Sequence, residues 1–473
     1  MSENREQFGS RLGFILAAAG SAVGIGNLVG FPVNAAKNGG GAFLLIYALC
    51  VVLLCLPVML AELSLGRHTK KDPLGAYTSI AGNSPWRIAG WLSLVTPFMI
   101  AVFYSVITIW LLGYVVNAAT GNLDQLAAPD TFGNFINSNS IFLYLAAVAT
   151  IIFLILAGGV QDGIERAAKV LMPLLFVFLI ALVIFVLSLD NAWAGVRYYM
   201  VPDFSKITGS VINGALSQAF FSLSLGMGIL ITYGSYMNPK EDLPGATKMV
   251  ALCDTGVAFA AGLLILPAVF SFNPNVNPEE LSDSSVSLIF TFLPKIFLAL
   301  QGTLGYVGAS IVATTFFTLV FFAAITSLVS IIEVPTASLM DARRYSRKKS
   351  LLILGITMGL LTIASALSFG KVGFLTELVN YAGASRSLFD IIIDTFYDTI
   401  LPLNGALVCL FVIYRWRKTN FNDEVEQGNP NYKGTFLERY VNFSVGTFIP
   451  VILFLIFINT VAQKYFGVSL IAL

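Results

Sequence analysis

Charge is what this chain has least of. Only 11% of its 473 residues are Asp, Glu, Lys or Arg, whereas soluble domains carry about 25%. A chain that is 57% hydrophobic with so few charges cannot clothe a water-facing surface, which excludes an ordinary soluble domain. Histidine and cysteine are nearly absent too: there is one histidine, and the four cysteines (Cys50, Cys55, Cys253, Cys409) all sit inside apolar runs. No metal-ligand cluster of the zinc type is expected from them, and cysteine in such a setting behaves as a small hydrophobe. His68, which follows Arg67 at the end of an apolar run, is expected to be simply solvated. Neither a phosphate-binding glycine loop nor a nucleophile elbow occurs, so no catalytic residue, no enzyme activity and no ATP-driven pumping is expected. With a net charge of +1, no nucleic-acid partner is expected either. Residues 1–10 are polar and no small-residue cleavage pattern follows a short apolar core, so a cleavable signal peptide is not expected.

Long apolar runs are what the chain does have. Eleven of them, near 11–36, 42–66, 88–118, 140–157, 167–189, 212–237, 247–272, 303–340, 350–369, 387–414 and 437–466, reach the ~20 residues that a hydrocarbon core demands. The fold class expected is therefore an all-α integral membrane protein with about 11 transmembrane helices, its partner being the lipid bilayer. Twenty of the 27 Lys and Arg residues fall on one side of this arrangement if the N-terminus is inside. That bias predicts a cytoplasmic N-terminus and, after an odd number of spans, an extracellular C-terminus. The polar stretches 119–139, 190–210, 273–300 and 415–436 read as loops.

Two of the runs are poor continuous helices. The first contains Gly20-Ser21-Ala22-Val23-Gly24-Ile25-Gly26-Asn27 followed by Pro32, and each Gly costs roughly 1 kcal/mol in a helix relative to Ala. The sixth is interrupted by Ser222-Leu223-Ser224-Leu225-Gly226-Met227-Gly228. Backbone freed from a helix at membrane depth survives only where it lines a cavity or is buried in protein. Close helix packing through small residues is the competing account of such glycines. Asn27, the paired hydroxyls Ser222 and Ser224, and Thr326-Ser327 in the eighth run favour a binding role. Hydroxyls, an amide oxygen and free carbonyls suit an alkali cation, while amides at the start of a half-helix suit a carboxylate.

On these stretches, together with Gly39-Gly-Gly-Ala-Phe43, Glu62-Leu-Ser-Leu-Gly-Arg67, Gln218–Gly228, Ile231-Thr-Tyr-Gly-Ser-Tyr236 and Phe321–Ser327, the chain resembles the neurotransmitter:sodium symporters, and among them the bacterial eleven-span amino acid transporters. The resemblance implies an inverted repeat of helices 1–5 and 6–10, with helices 1 and 6 unwound at mid-membrane. It divides the chain into an N-terminal gate segment (1–10), a first repeat (11–189), an extracellular loop (190–211), a second repeat (212–417), and a cytoplasmic loop with the eleventh helix (418–473). It implies sodium-coupled import, across a plasma membrane, of a small zwitterionic amino acid, neutral and hydrophobic, with two sodium ions. Sodium 1 would be held by Ala22, Asn27, Ser222 and Asp254, and sodium 2 by Gly20, Val23, Ala323, Thr326 and Ser327. The substrate would meet Ala22, Ile25, Gly26, Ile100, Tyr104, Phe221, Ser224, Met227, Ser327 and Ile331, with Tyr104 and Phe221 as an aromatic lid. Glycine at position 24, an aspartate in the family's monoamine members, leaves space for the substrate's own carboxylate. Arg5, Tyr236 and Asp341 would form the inner gate, with Phe8 where a tryptophan is usual; Gly163 and Pro173 would bracket a hinge in helix 5.

Two departures shape the expectations, and a further acid, Glu62, follows the family pattern. Cys253 stands at the usual asparagine of segment 7, so Asp254 is expected to turn toward sodium 1. There, with Tyr47, Gln218 and Ser222 as neighbours, it would supply the negative charge that chloride supplies in animal members. The outer gate lacks its cation because that position is Gly30, although the acids Asp390 and Asp394 remain; Arg386 is the candidate replacement, or merely an i,i+4 partner of Asp390. Glu62, an acid in segment 2, is expected to brace the broken helices. Symport of another small zwitterion or osmolyte, or a substrate sensor that does not transport, are the alternative functions.

Overall fold

The computed structural model describes residues 5–272, 286, 288–468 and 470. Among the described residues nine helices are long and apolar enough to cross a membrane, and a bent pair, Arg11–Ala22 with Gly26–Lys37, makes a tenth. The remaining span, Gly209–Ser222 with Ile229–Ser235, falls short by length only because residues 223–228 interrupt it. The bent pair is span 1 and the interrupted one span 6. Spans 2 to 5 are Gly41–Thr69, Arg87–Ala119, Ser140–Ala157 and Val160–Leu187. Spans 7 to 9 are Leu243–Phe272, Gln301–Arg343 and Arg347–Leu367; span 10 runs from Leu388 to Arg417 and span 11 is Phe436–Phe466.

Burial sorts these spans into an inner and an outer set. In span 8, 78% of the most apolar window is buried, and in span 3, 67%, against 22% in span 4 and 28% in span 5. Spans 3 and 8 pack along their length, span 1 packs on spans 5, 7 and 8, and the second half of span 6 packs on span 2. The two broken spans are thus enclosed by protein, where their free backbone finds partners other than lipid. Each opens one five-span half, 1–5 and 6–10.

Local chemistry explains where each break begins and ends. Ser10 caps span 1, its Oγ accepting from the Gly13 amide at 3.0 Å. The first half ends at Ala22 and the chain resumes as a wide turn, Gly26–Gly30, before Pro32 restarts an ordinary helix with the halves bent by 55°. In span 6, Ser224, Gly226 and Gly228 all have left-handed φ (+55°, +76° and +70°), a conformation that ends helices. A Cβ on Gly226 would stand 2.6 Å from the Leu401 carbonyl, so glycine is required there on two counts.

Stretches expected to be loops hold short helices instead: Leu123–Leu126, Thr131–Ile136, Ala192–Met200, Leu293–Ala299 and Lys418–Glu426. These are amphipathic pieces that bury one face, such as Leu123 and Leu126, or Phe421 and Val425, and a search for long apolar runs passes over them. An antiparallel hairpin, Val379–Tyr381 with Ala384–Arg386, turns through Ala382 and Gly383, both left-handed. His68 is not merely solvated: its Nδ1 lies 3.2 Å from Glu424 Oε2 and its ring 4.8 Å from Trp416. Beside it the buried Arg67 donates from Nε to Glu424 Oε1 at 2.6 Å, so the end of span 2 anchors the helix Lys418–Glu426.

Span 2 and the second half of span 6 touch at glycine. A Cβ on Gly66 would collide with the Ile231 carbonyl, and overpacking of this kind costs about 1–3 kcal/mol. Gly66→Ala is expected to lower the melting temperature of the purified protein in detergent; an unchanged melting temperature would contradict this account of the interface.

Candidate functional site

The break in span 1 supplies Asn27, which span 6 and span 7 meet from the other side. Asn27 Nδ2 donates to Ser222 Oγ at 2.8 Å and to Asp254 Oδ1 at 2.7 Å, and Asn27 Oδ1 accepts from the Gly24 amide at 3.2 Å. Ser222 donates to Asp254 Oδ2 at 2.8 Å, and Tyr47 on span 2 donates to the same oxygen at 3.3 Å. All four side chains are buried, Asp254 completely. Among the described residues the Asp254 carboxylate has only neutral hydrogen-bond partners. An uncompensated charge at that depth is costly, so this pocket of hard oxygens fits a monovalent cation. Gln218 departs from expectation: it accepts from Asn34 at 2.8 Å and donates to the Gly26 carbonyl at 3.2 Å rather than adjoining Asp254. Its amide holds the wide turn of span 1 in place.

A second set of oxygens converges between spans 1 and 8. Ser327 Oγ lies 3.3 Å from the Gly20 carbonyl and 3.2 Å from the Val23 carbonyl, donating to both, while Thr326 Oγ1 is 3.1 Å from the Ala323 carbonyl. Gly20 permits the approach, since a Cβ there would lie 3.1 Å from Thr326 Cβ. All five residues expected at this place meet in the structure.

Between the two sets lie the groups expected to receive a zwitterion. The Ile25 amide donates to the Tyr104 hydroxyl at 3.2 Å, at the start of the resumed helix. A Cβ on Gly24 would stand 2.7 Å from that hydroxyl and 3.0 Å from Ser327 Oγ, so this glycine faces the same space. Ser224 donates to the Ser21 carbonyl at 3.1 Å, tying the two breaks together. Ile100 on span 3, Ile331 on span 8, Met227 in the span 6 break, and Ala22 and Ile25 in span 1 are buried, and nothing charged is among them. The lid differs from expectation: Phe221 stacks on Tyr397 of span 10 at 4.9 Å, while Tyr104 is engaged by Ile25.

Glu62 braces the break of span 6 from span 2. Its Oε1 accepts from the Gly226 amide at 2.7 Å, and Asn404 of span 10 donates to the Gly226 carbonyl at 3.0 Å. Both polar groups of this left-handed residue are thereby satisfied without water.

At the Lys- and Arg-rich end, Arg5 meets Asp341 at 2.5 Å, donates to Ser235 at 2.9 Å and lies over the Tyr236 ring at 4.9 Å. Tyr236 donates to the buried Glu333 at 2.6 Å, which pairs with Arg347 at 2.7 Å; Arg347 also reaches Glu6 at 3.1 Å. Phe8 packs edge-on against Tyr233 at 5.5 Å and Tyr236 at 6.2 Å. The sequence pattern assigns no gate role to Glu333 or Arg347, although an acid inside an apolar run is a usable signal for Glu333. At the opposite end Arg386 does not pair with Asp390. Asp390 instead closes a capping box with Ser387 at the start of span 10, and Arg386 lies over the Tyr381 ring at 5.3 Å. Asp394 is paired, but by Lys464 of span 11 at 2.8 Å, a partner no local spacing reveals.

Paired helix breaks at mid-membrane that present carbonyls, hydroxyls and a buried carboxylate define an ion-coupled membrane transporter of the broken-helix class. The family model for the sodium:neurotransmitter symporter family matches residues 5–134 and 134–468, and the chain belongs to that family. It is similar to the uncharacterized sodium-dependent transporter YhdH of Bacillus subtilis (strain 168), at 35% identity over 98% of this chain and 99% of that one. An uncharacterized sodium-dependent transporter of Haemophilus influenzae is 31% identical over 97% of this chain and 98% of its own length. The crystal structure of MhsT in complex with L-phenylalanine superposes with a TM-score of 0.83, at 38% identity over 96% of this chain and 99% of that one. The chain is accordingly a multi-pass, sodium-dependent transporter, and the family is one of transporters rather than enzymes.

Removing the Glu62 acceptor strands a buried amide, at about 1–3 kcal/mol. Glu62→Ala is expected to lower the melting temperature and Glu62→Gln, which keeps the acceptor, to leave it close to the parent's; equal losses in both would contradict the bracing role.

Proposed function

We propose that the chain imports neutral, hydrophobic L-amino acids together with two sodium ions by alternating access. The observation that carries the reading is the buried Asp254 carboxylate, held by Asn27, Ser222 and Tyr47 with no cationic side chain against it among the described residues. The L-phenylalanine complex of MhsT supports the substrate class. The Lys and Arg bias supports a plasma-membrane orientation with the N-terminus cytoplasmic and the C-terminus extracellular.

Sodium 1 is held by the Ala22 carbonyl, Asn27, Ser222 and Asp254. For this the Asn27 amide turns over, so that Oδ1 leaves the Gly24 amide and faces the ion. Sodium 2 draws on the carbonyls of Gly20, Val23 and Ala323 and the hydroxyls of Thr326 and Ser327. The Ser327 hydrogen that now bridges to span 1 gives way to the cation, and the same oxygens tie spans 1 and 8 more firmly. The substrate carboxylate meets the Ile25 and Gly26 amides, the Tyr104 hydroxyl and sodium 1; the ammonium meets the Ala22 and Phe221 carbonyls and Ser224. Opposite charges meeting in a low-dielectric site make each ligand raise the other's affinity, which is thermodynamic coupling. Ile100, Met227, Ser327 and Ile331 receive an uncharged side chain, Met227 adapting to its shape. Asp254 makes chloride unnecessary.

Release to the inside requires the Arg5–Asp341 pair and the Tyr236 contacts to part. It is assigned to unwinding of the start of span 5 between Gly163 and Pro173, where a wide turn, Val160–Glu165, already interrupts the regular helix.

The test is radiolabelled uptake of pooled neutral amino acids into proteoliposomes with and without an inward sodium gradient. Accumulation that needs sodium and not chloride is the expected result, and Asp254→Asn is expected to raise the sodium half-saturation at least about tenfold. A chloride requirement in the parent protein would refute the role of Asp254. Exclusive use of glycine or of a charged amino acid would refute the pocket assignment. Sodium-dependent binding without accumulation would leave a sensor.

A further inference from the structure

The end of the molecule opposite Arg5–Asp341 carries an ion cluster in which the expected outer-gate acid Asp394 is joined by Asp398 and Lys464. Between Ile393 and Ile400 span 10 adopts a wide turn. Asp394 and Asp398 project together from it and both reach one ammonium, Lys464 of span 11, at 2.8 and 2.7 Å. The Asp394 side chain is 5% exposed. Its second oxygen accepts from Tyr381 of the hairpin at 2.7 Å, and Thr399 returns a hydrogen bond to the Asp394 carbonyl at 2.6 Å. Thr395 and Tyr465 add a further contact between spans 10 and 11 at 3.0 Å.

Tyr397 lies within the same wide turn. Its ring stacks on Phe221 at 4.9 Å and an interplanar angle of 26°, and meets Phe103 of span 3 edge-on at 5.7 Å. Phe221 lies in the last turn of the first half of span 6, one position before Ser222 of the cation pocket. A continuous set of contacts therefore runs from Lys464 through the wide turn to the ring covering the site. Gly30, at the end of the wide turn of span 1, offers no cation where the family pattern has one.

We propose that Lys464 is the cation of the outer gate, a positioning residue that bridges Asp394 and Asp398, holds the wide turn of span 10 in register, and so keeps Tyr397 stacked over Phe221. Two carboxylates one helical turn apart repel once their shared ammonium is removed, and the turn relaxes at the expense of the stack. Closure is then achieved by rings rather than by an ion pair across the entrance, with the ion pair set behind the rings against span 11. The inference rests on the reading of residues 20–27 and 221–228 as the binding site, and not on the identity of the substrate.

The test measures the rate at which a membrane-impermeant thiol reagent labels a cysteine introduced as Ile25→Cys, beneath the stack, in the full-length purified protein with sodium present. Ala22→Cys serves as a second reporter, and protein without an introduced cysteine gives the background. Lys464→Met and Tyr397→Leu are each expected to speed labelling about tenfold, the first by loosening a partly buried ion cluster and the second by removing a stacked ring. Lys464→Arg and Tyr397→Phe should keep the parent rate. The double variant Lys464→Met/Tyr397→Leu should label no faster than either alone, because both act on one closure. A merely stabilising role for Lys464 would give multiplying effects, and that outcome, or an unchanged rate in Lys464→Met, overturns the proposal. Dissociation of labelled L-phenylalanine from the same variants separates the two readings. If labelling responds as expected while the parent retains no amino acid, the gate stands and the substrate reading fails. If the parent retains amino acid in sodium and Lys464→Met neither labels nor releases faster, the gate alone fails.

Discussion

Backbone polar groups at membrane depth must find partners inside the protein, and the rest of this structure is organised around that demand. Spans 1 and 6 give up helical hydrogen bonds at residues 23–25 and 223–228. Several of the freed groups are met by named side chains: Glu62 and Asn404 on Gly226, Gln218 on the Gly26 carbonyl, Ser327 on the Gly20 and Val23 carbonyls, Ser224 on the Ser21 carbonyl. Spans 2, 3, 8 and 10 are thereby fixed around the breaks, and the more exposed spans 4 and 5 lie outside them.

Charge is placed with the same economy. Buried acids have distinct surroundings: Glu62 faces a backbone amide, Glu333 an arginine, Asp394 a lysine, and Asp254 only neutral donors. Glu333 and Asp394 are neutralised by the cation each meets, whereas Glu62 and Asp254 meet only neutral donors among the described residues. Of these two, Asp254 sits against side chains of both broken spans, Asn27 and Ser222. The two ends of the molecule are closed differently, by a charged network around Arg5, Asp341, Glu333 and Arg347 at one and by stacked rings in front of an ion cluster at the other.

Much of this was legible in the chain itself. Apolar runs located the spans to within a few residues, span 4 falling on 140–157 as expected, because a hydrocarbon core imposes length and composition directly. Glycines beside hydroxyls and Asn27 located the breaks, since a helix former would not be replaced there without another use for the backbone. Of the groups expected around Asn27, Ser222 and Asp254 meet it, and the hydroxyl of Ser327 meets the carbonyls of Gly20 and Val23. What escaped were contacts set by packing. The amphipathic helix Lys418–Glu426 escaped because it is too short and polar for an apolar scan, and its docking through Glu424 gives the still exposed His68 a carboxylate and a ring to rest against.

The outer end shows where sequence stops. Asp390 and Arg386 sit four residues apart and invite pairing, yet Ser387 offers Asp390 a capping box and Tyr381 offers Arg386 a ring face. Lys464 lies 70 residues beyond Asp394, and only the packing of span 11 on span 10 brings them together. The sequence by itself determined an eleven-span helical membrane protein broken at two places, because hydrophobic length and glycine placement act locally. Which cation meets which acid, and which ring covers the site, was decided by tertiary structure, because a side chain's partner depends on how helices distant along the chain come to lie side by side.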